Sequence, residues 1–415
     1  MLIAHNPVAN SGELLKRFAD ARAESDRLFA IVHPDALYER PIADRHRIVF
    51  YLGHLEAFEG NLLRETVGGI PSFHPEFDRL FAFGIDPVGT ALPSDRAEEW
   101  PTLEEIRKYN QRLRDQIDAR ATIDARILNV AIEHRLMHCE TLAYMLHRLP
   151  LEQKLRPPTV PPAFSNHPLQ PAVIEIPAGA ATLGLSSSGG SFGWDNEFEA
   201  HTVVVPSFTI DKYKVTNAQY LEFMRAGGYE NREWWTASDW DWKTANNITH
   251  PAFWRRSGDA WRYRAMFEEI PLPPAWPVYV SQAEASAYAR WTGKKLPTEA
   301  QWQRAAQDAR HTGNADFKSW DPTPVNGFPE TGSAFGTVEM IGNGWEWTST
   351  VFAPFAGFEP FPFYPGYSAN FFDGKHYVMK GGSPRTAACM LRPSFRNWFQ
   401  PHYPYVYAGF RCVDS

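Results

Sequence analysis

The chain has 415 residues, of which 44% are apolar and 21% charged, and its 41 basic and 48 acidic side chains give a net charge of −7. That length exceeds what one hydrophobic core organises, so two or three domains are expected. The acidic balance, with no basic run interleaved with aromatics, argues against nucleic acid as a partner.

The start, Met1-Leu-Ile-Ala-His-Asn-Pro, lacks the charged and apolar regions of a signal peptide, and no apolar run approaches the ~20 residues that span a bilayer. A cytoplasmic protein without membrane partners is therefore expected. Three scattered cysteines, Cys139, Cys389 and Cys412, are too few for a disulfide framework and agree with a reducing compartment.

In chain order, apolar residues recur at helical spacing in Leu14, Leu15, Phe18 and Ala21, in Ile48 to Leu63, in Ile106 to Ile117 and in Ile123 to Leu146. Four such helices predict a bundle over residues 1–155. The stretch Gly68 to Thr102, rich in Gly and Pro, reads as irregular and too long for a bare connection. Residues 156–171 form a proline-dense linker that excludes regular structure. Beyond it, over 172–415, come short alternating runs (Val173-Ile-Glu-Ile, His201-Thr-Val-Val-Val, Phe208-Thr-Ile) and glycine-rich turns. Helices are predicted at Thr216 to Ala226, at Ser281 to Thr292 and from Thr298. The whole is an α+β chain with a loop-rich second half.

Chemistry is concentrated in the run Glu133-His-Arg-Leu-Met-His-Cys-Glu140. His134 and His138 stand one helical turn apart, so both imidazoles can reach one metal ion. His54, on the second predicted helix, is the candidate third ligand. The plainer alternative is a pair of core histidines hydrogen-bonded within the bundle. Glu140, two residues past His138, suits a supporting or substrate contact better than a ligand. Three neutral imidazoles leave open positions that zinc would use for an activated water and ferrous iron for oxygen beside a soft donor.

The second half carries most of the 15 Trp, 16 Tyr and 28 Phe. Trp345, in Gly344-Trp-Glu-Trp-Thr348, and Asn397-Trp398, in Phe395-Arg-Asn-Trp-Phe399, are either core stripes or substrate contacts. An amide beside an indole suits a polar heteroaromatic ring next to a quaternary ammonium. Tyr364 and Tyr367, among Pro and Gly, are candidates to deliver a proton near a metal.

The assembled features resemble the ergothioneine-biosynthesis sulfoxide synthases (EgtB type), in which a DinB-like four-helix bundle is fused to a formylglycine-generating-enzyme-like domain with a C-type-lectin-related fold. The resemblance rests on His134, His138 and Glu140, and on the upstream Gly-His54-Leu-Glu. In the second half it rests on Tyr213-Lys-Val-Thr-Asn-Ala-Gln-Tyr, Lys295-Leu-Pro-Thr-Glu-Ala-Gln-Trp, Gly342-Asn-Gly-Trp-Glu-Trp-Thr, Lys380-Gly-Gly-Ser and Ala408-Gly-Phe-Arg411. It implies an iron(II) enzyme that uses O2 to join a sulfur donor to the imidazole of hercynine. By position it implies that His54, His134 and His138 hold Fe(II), that Asn397 and Trp398 receive hercynine, and that Tyr364 or Tyr367 is the catalytic tyrosine.

The chain departs from the usual family at Met137, where Gln is usual, and at Phe399 and Tyr403, where an acidic and a basic residue are usual. A pocket without that charge pair has no evident hold on the zwitterion of γ-glutamylcysteine. Loop texture resembles the selenoneine synthases, which implies a selenosugar donor stacked on Tyr403, Tyr405 and Trp100; the alternative is a thiol such as cysteine. From other classes, a zinc hydrolase or thiol transferase and an aromatic binding protein compete with this reading. Formylglycine generation is discounted because Cys389 and Cys412 do not supply its reactive arrangement.

Overall fold

The computed structural model describes residues 11–66, 70–84, 93–120, 122–158 and 169–414, and the chain separates into two compact units, 1–159 and 160–415. The opening Met1-to-Pro7 segment and the centre of the proline-rich linker, 159–168, lie outside the described residues. The architecture is α+β: a helical first unit followed by a unit of small sheets and short helices.

The first unit is built on α1 (Ser11–Ala30), α2 (Ile48–Thr66), α3 (Pro75–Phe83), α4 (Leu103–Asp118) and α5 (Ala125–His147). Helix α5 packs on α1 and α2, and α2 also packs on α3 and α4. Thr102 and Glu105 close a reciprocal capping box on α4, and the Asp124 carboxylate accepts from two backbone amides that open α5. Most of α5 is buried, Glu133, His134, Arg135 and Glu140 included, so charged and titratable groups lie inside the bundle.

Helix α3 corrects the reading of Gly68 to Thr102 as wholly irregular. His74 caps it, Pro75 occupies its first turn with Glu76 and Asp78, and Gly84 closes it at φ +79°. That start signal is present in the sequence, but the helix spans only 9 residues. It seats on α2 because Gly53 has no side chain there: a Cβ would stand 2.4 Å from the Phe81 ring.

In the second unit, β1 (Val173–Ile176), β4 (Phe208–Asp211) and β12 (Val413–Asp414) form one sheet, and β2 (Gly179–Leu183) pairs with β3 (His201–Val205). Strands β5 (Trp254–Ser257), β6 (Ala260–Arg264) and β7 (Glu269–Pro271) form a meander. Strands β8 (Trp345–Val351), β9 (Tyr377–Lys380), β10 (Asn397–Phe399) and β11 (Ala408–Gly409) form a sheet ordered β10-β9-β8-β11.

The helices are α6 (Asn217–Arg225), α7 (Ala237–Ala245), α8 (Gln282–Trp291) and α9 (Glu299–Ala305). Three of them lie where caps announce them, with capping boxes on Thr216, Ser281 and Thr298. Helix α7 has the N-cap Thr236 but a tryptophan-rich sequence that does not read as an apolar stripe. One core gathers Ile176, Phe208 and Ile210 from the sheet of β1 and β4, Trp302 from α9, and Met340 and Ile341 from the following loop.

Candidate metal centre

His54 projects from α2, and His134 and His138 from α5. One nitrogen from each lies within 4.8 Å of the others, the one group of side chains among the described residues able to hold a metal ion. His54 Nδ1 stands 2.7 Å from the Phe81 carbonyl oxygen. A carbonyl only accepts, so Nδ1 carries the proton and Nε2 turns a lone pair inward. That Nε2 is 3.2 Å from His138 Nε2. Two nitrogens each about 2.1 Å from one cation, at a tetrahedral or right angle, stand roughly 3.0–3.4 Å apart, so the spacing fits a shared ion.

Burial holds all three imidazoles neutral: His54 is lowered to about 4, and His134 and His138 well below the ordinary imidazole value. The Arg135 guanidinium acts in the same direction on each. Neutral imidazole is the form that ligates. His138 Nδ1 is buried with no hydrogen-bond partner among the described residues. Three aromatic rings fix the orientations. Phe58 stacks on His134 at 3.4 Å between centroids, Phe50 stacks on His54 at 4.8 Å, and Tyr51 lies 5.7 Å from His138.

Met137 is half-buried beside this group and Glu140 is buried on the same helix. Trp100, expected to suit a sugar, is instead buried in the first unit and donates its indole N–H to Asp95 at 2.6 Å.

The second unit sorts its candidates into three places. Asn397 and Trp398 are neighbours on β10, so their side chains leave opposite faces of the strand. Trp398 stacks on Phe352 at 4.2 Å and meets Tyr367 edge-on at 5.4 Å. Tyr367 in turn stacks on Trp194 at 3.9 Å, with Tyr364 5.7 Å away. Burial, with the nearby Asp195 charge, pushes the Tyr364 phenol up to about 12.

On the other side, Phe399 stacks on Tyr403 at 5.1 Å, and Tyr405 meets Tyr403 edge-on. Trp345 is apart from both groups, buried against Phe395.

Sequence reasoning passed over Phe58, Phe81, Trp194 and Phe352. Phe58 was within reach, one turn from His54 on the same helix. The Phe81 carbonyl was not, because it belongs to a helix the sequence shows only faintly.

Two family models match the chain: the sulfatase-modifying factor enzyme 1-like domain over residues 159–415 and the DinB superfamily over residues 17–123, a span that holds His54 but stops short of α5. A hercynine oxygenase of Mycolicibacterium smegmatis is 35% identical over 310 residues, covering 68% of this chain and 70% of that protein. One from Mycolicibacterium thermoresistibile is 37% identical over 253 residues, covering 56% of each. Ergothioneine biosynthesis protein 1 of Neurospora crassa is 28% identical over 489 aligned positions, covering 91% of this chain and 55% of that protein. The chain thus spans little more than half the length of the latter two.

Proposed function

The chain belongs to the hercynine oxygenase family, and from that premise we propose that it is a non-haem iron(II) enzyme that uses O2 to form a carbon–sulfur bond between the imidazole of hercynine and a thiol such as cysteine. The observation that carries the proposal is the group of three neutral imidazoles from α2 and α5, His134 buried and His54 and His138 half-buried, with nitrogens within 4.8 Å. His54, His134 and His138 would hold the iron. The ion would supply an open position at which O2 and a thiolate are brought together.

The chain's own residues do the rest. Phe81 fixes the His54 tautomer, and Phe58 and Phe50 hold two rings in place. In the second unit, Asn397 or Trp398, on opposite faces of β10, would receive hercynine, and Tyr364 or Tyr367 would hold a proton for transfer. Burial keeps Tyr364 protonated well above neutrality, which suits a proton donor. Trp345 is packed as core and carries no substrate role in this reading.

The names of the relatives are those of hercynine and ergothioneine enzymes, and they back a sulfur donor over the selenosugar that loop texture suggested. The stack of Phe399 on Tyr403 offers no charge for a γ-glutamyl zwitterion, which favours a smaller thiol. No helix among the described residues is long and apolar enough to cross a membrane. Cys139, Cys389 and Cys412 form no disulfide among the described residues, which fits a reducing setting.

The test is anaerobic reconstitution with iron(II), addition of hercynine with cysteine, γ-glutamylcysteine or 1-seleno-glucose, and mass spectrometry of the products after O2 is admitted. A hercynine–cysteine adduct formed with O2 uptake is the expected result. Stoichiometric zinc with activity indifferent to O2 would overturn the proposal.

A further inference from the structure

Directly beside the imidazoles, the bundle buries a ladder of charges that no step of the proposed chemistry uses. Arg135, the residue after His134, is 1% exposed, and its guanidinium makes four hydrogen bonds and one further ion-pair contact. Nε donates to Glu59 at 2.6 Å. Nη1 donates to Glu56 at 3.0 Å and to Ser25 at 2.9 Å. Nη2 meets the second Glu56 oxygen at 2.9 Å and the Leu55 carbonyl at 3.2 Å.

Each carboxylate is gripped again from behind. Glu59 accepts two bonds from Arg22 of α1, at 3.0 and 3.2 Å, and Glu56 accepts two from Arg114 of α4, at 2.6 and 2.9 Å. The ends close on Asp118 and Asp26, so α1, α2, α4 and α5 are joined through one network.

The three ligands come from two helices, so their spacing is no better defined than the register of α5 on α2. Apolar faces tolerate sliding; a guanidinium bonded between two carboxylates does not. A slip of one residue, about 1.5 Å along the axis with a turn of about 100°, would aim the Arg135 guanidinium away from both carboxylates. Glu56 and Glu59 lie two and five residues past His54, and Arg135 lies between His134 and His138, so the lock sits at the level of the ligands.

We propose that Arg135, Glu56 and Glu59 are positioning residues that set the separation of His54 from the His134–His138 pair and so tune the metal centre. This rests on the metal reading above.

The test uses the full-length protein and cobalt(II) as the probe metal, with affinity and visible spectrum measured beside thermal stability. Glu59→Gln keeps the volume and removes one charge of the lock. It should weaken cobalt binding about tenfold or more and change the spectrum, in the range of outer-shell effects. Leu14→Ala, a cavity on α1 outside the ladder, should lower thermal stability while leaving affinity and spectrum within about twofold of the parent, a general loss of packing being unable to shift ligand geometry.

Should Glu59→Gln not fold, Arg22→Lys loosens Glu59 from one side and should give a smaller shift of the same sign. A Glu59 variant with parental affinity and spectrum overturns the positioning role alone. So does a loss of affinity that only tracks thermal stability in both variants. A parent protein that binds no cobalt overturns this role and the metal reading together.

Discussion

The two units weight buried charge differently. In the second unit, charged side chains serve irregular backbone: Arg411 pairs with Glu346 and also donates to the carbonyls of Asp211, Lys212 and Val338, and Lys214 reaches those of Glu339 and Gly342. Lys380 does the same for Pro393 and Phe395. Loops leave carbonyls that no ladder satisfies, and buried cations satisfy them. In the first unit the helices satisfy their own backbone, so buried charges answer mainly one another. Regular structure on one side frees side chains for chemistry that irregular structure on the other side spends on folding.

The largest effect that would sharpen this contrast is in the second unit. Arg411→Ala should destabilise it by about 3–5 kcal/mol, measured by denaturant unfolding, because Glu346 is left as a buried, partly uncompensated charge beside orphaned carbonyls. In the first unit, His54→Ala should cost more metal affinity than the roughly 10–100-fold typical of outer-shell changes, with little loss of helicity by circular dichroism. Equal loss of fold in both variants would break the contrast.

Acid should weaken the first unit as its buried imidazoles are forced to charge. Burial places His54 near 4 in the fold against 6.5 for a free imidazole, so the unfolded chain binds more protons between those values. Stability of the metal-free protein should therefore be full above about pH 6.5 and fall as pH drops towards 4, by roughly 2–3 kcal/mol from this group. Thermal melts across that range check the sign.

Gly53→Ala forces a Cβ against Phe81 and displaces the carbonyl that orients His54. A loss of about 1–3 kcal/mol of stability is expected, with weaker metal binding in a titration. Smallest is Phe58→Leu, which removes the stack on His134; about 1 kcal/mol is expected from a double-mutant cycle with His134→Ala.

Much of the centre was legible because helix periodicity is a strong local signal. His134 and His138 declare one face of one helix, and an apolar run with the same period carries His54. An N-cap at Thr216, a capping box at Ser281 and the run from Thr298 announced three helices of the second unit for the same reason. What stayed hidden depends on contacts distant in sequence. The Phe81 carbonyl reaches His54 only because Gly53 admits α3, and Arg135 looks like any helix-surface arginine until Glu56 and Glu59 are seen around it. Asn397 and Trp398 read as a pair from their adjacency, whereas the strand that holds them turns them to opposite faces.

The central claim is that three imidazoles share one ion. X-ray absorption on the iron(II)-reconstituted protein tests it most directly: one iron per chain with a shell of three imidazoles, falling to two in His54→Ala, is predicted. An iron shell without imidazole scattering, or one unchanged by that substitution, would contradict it.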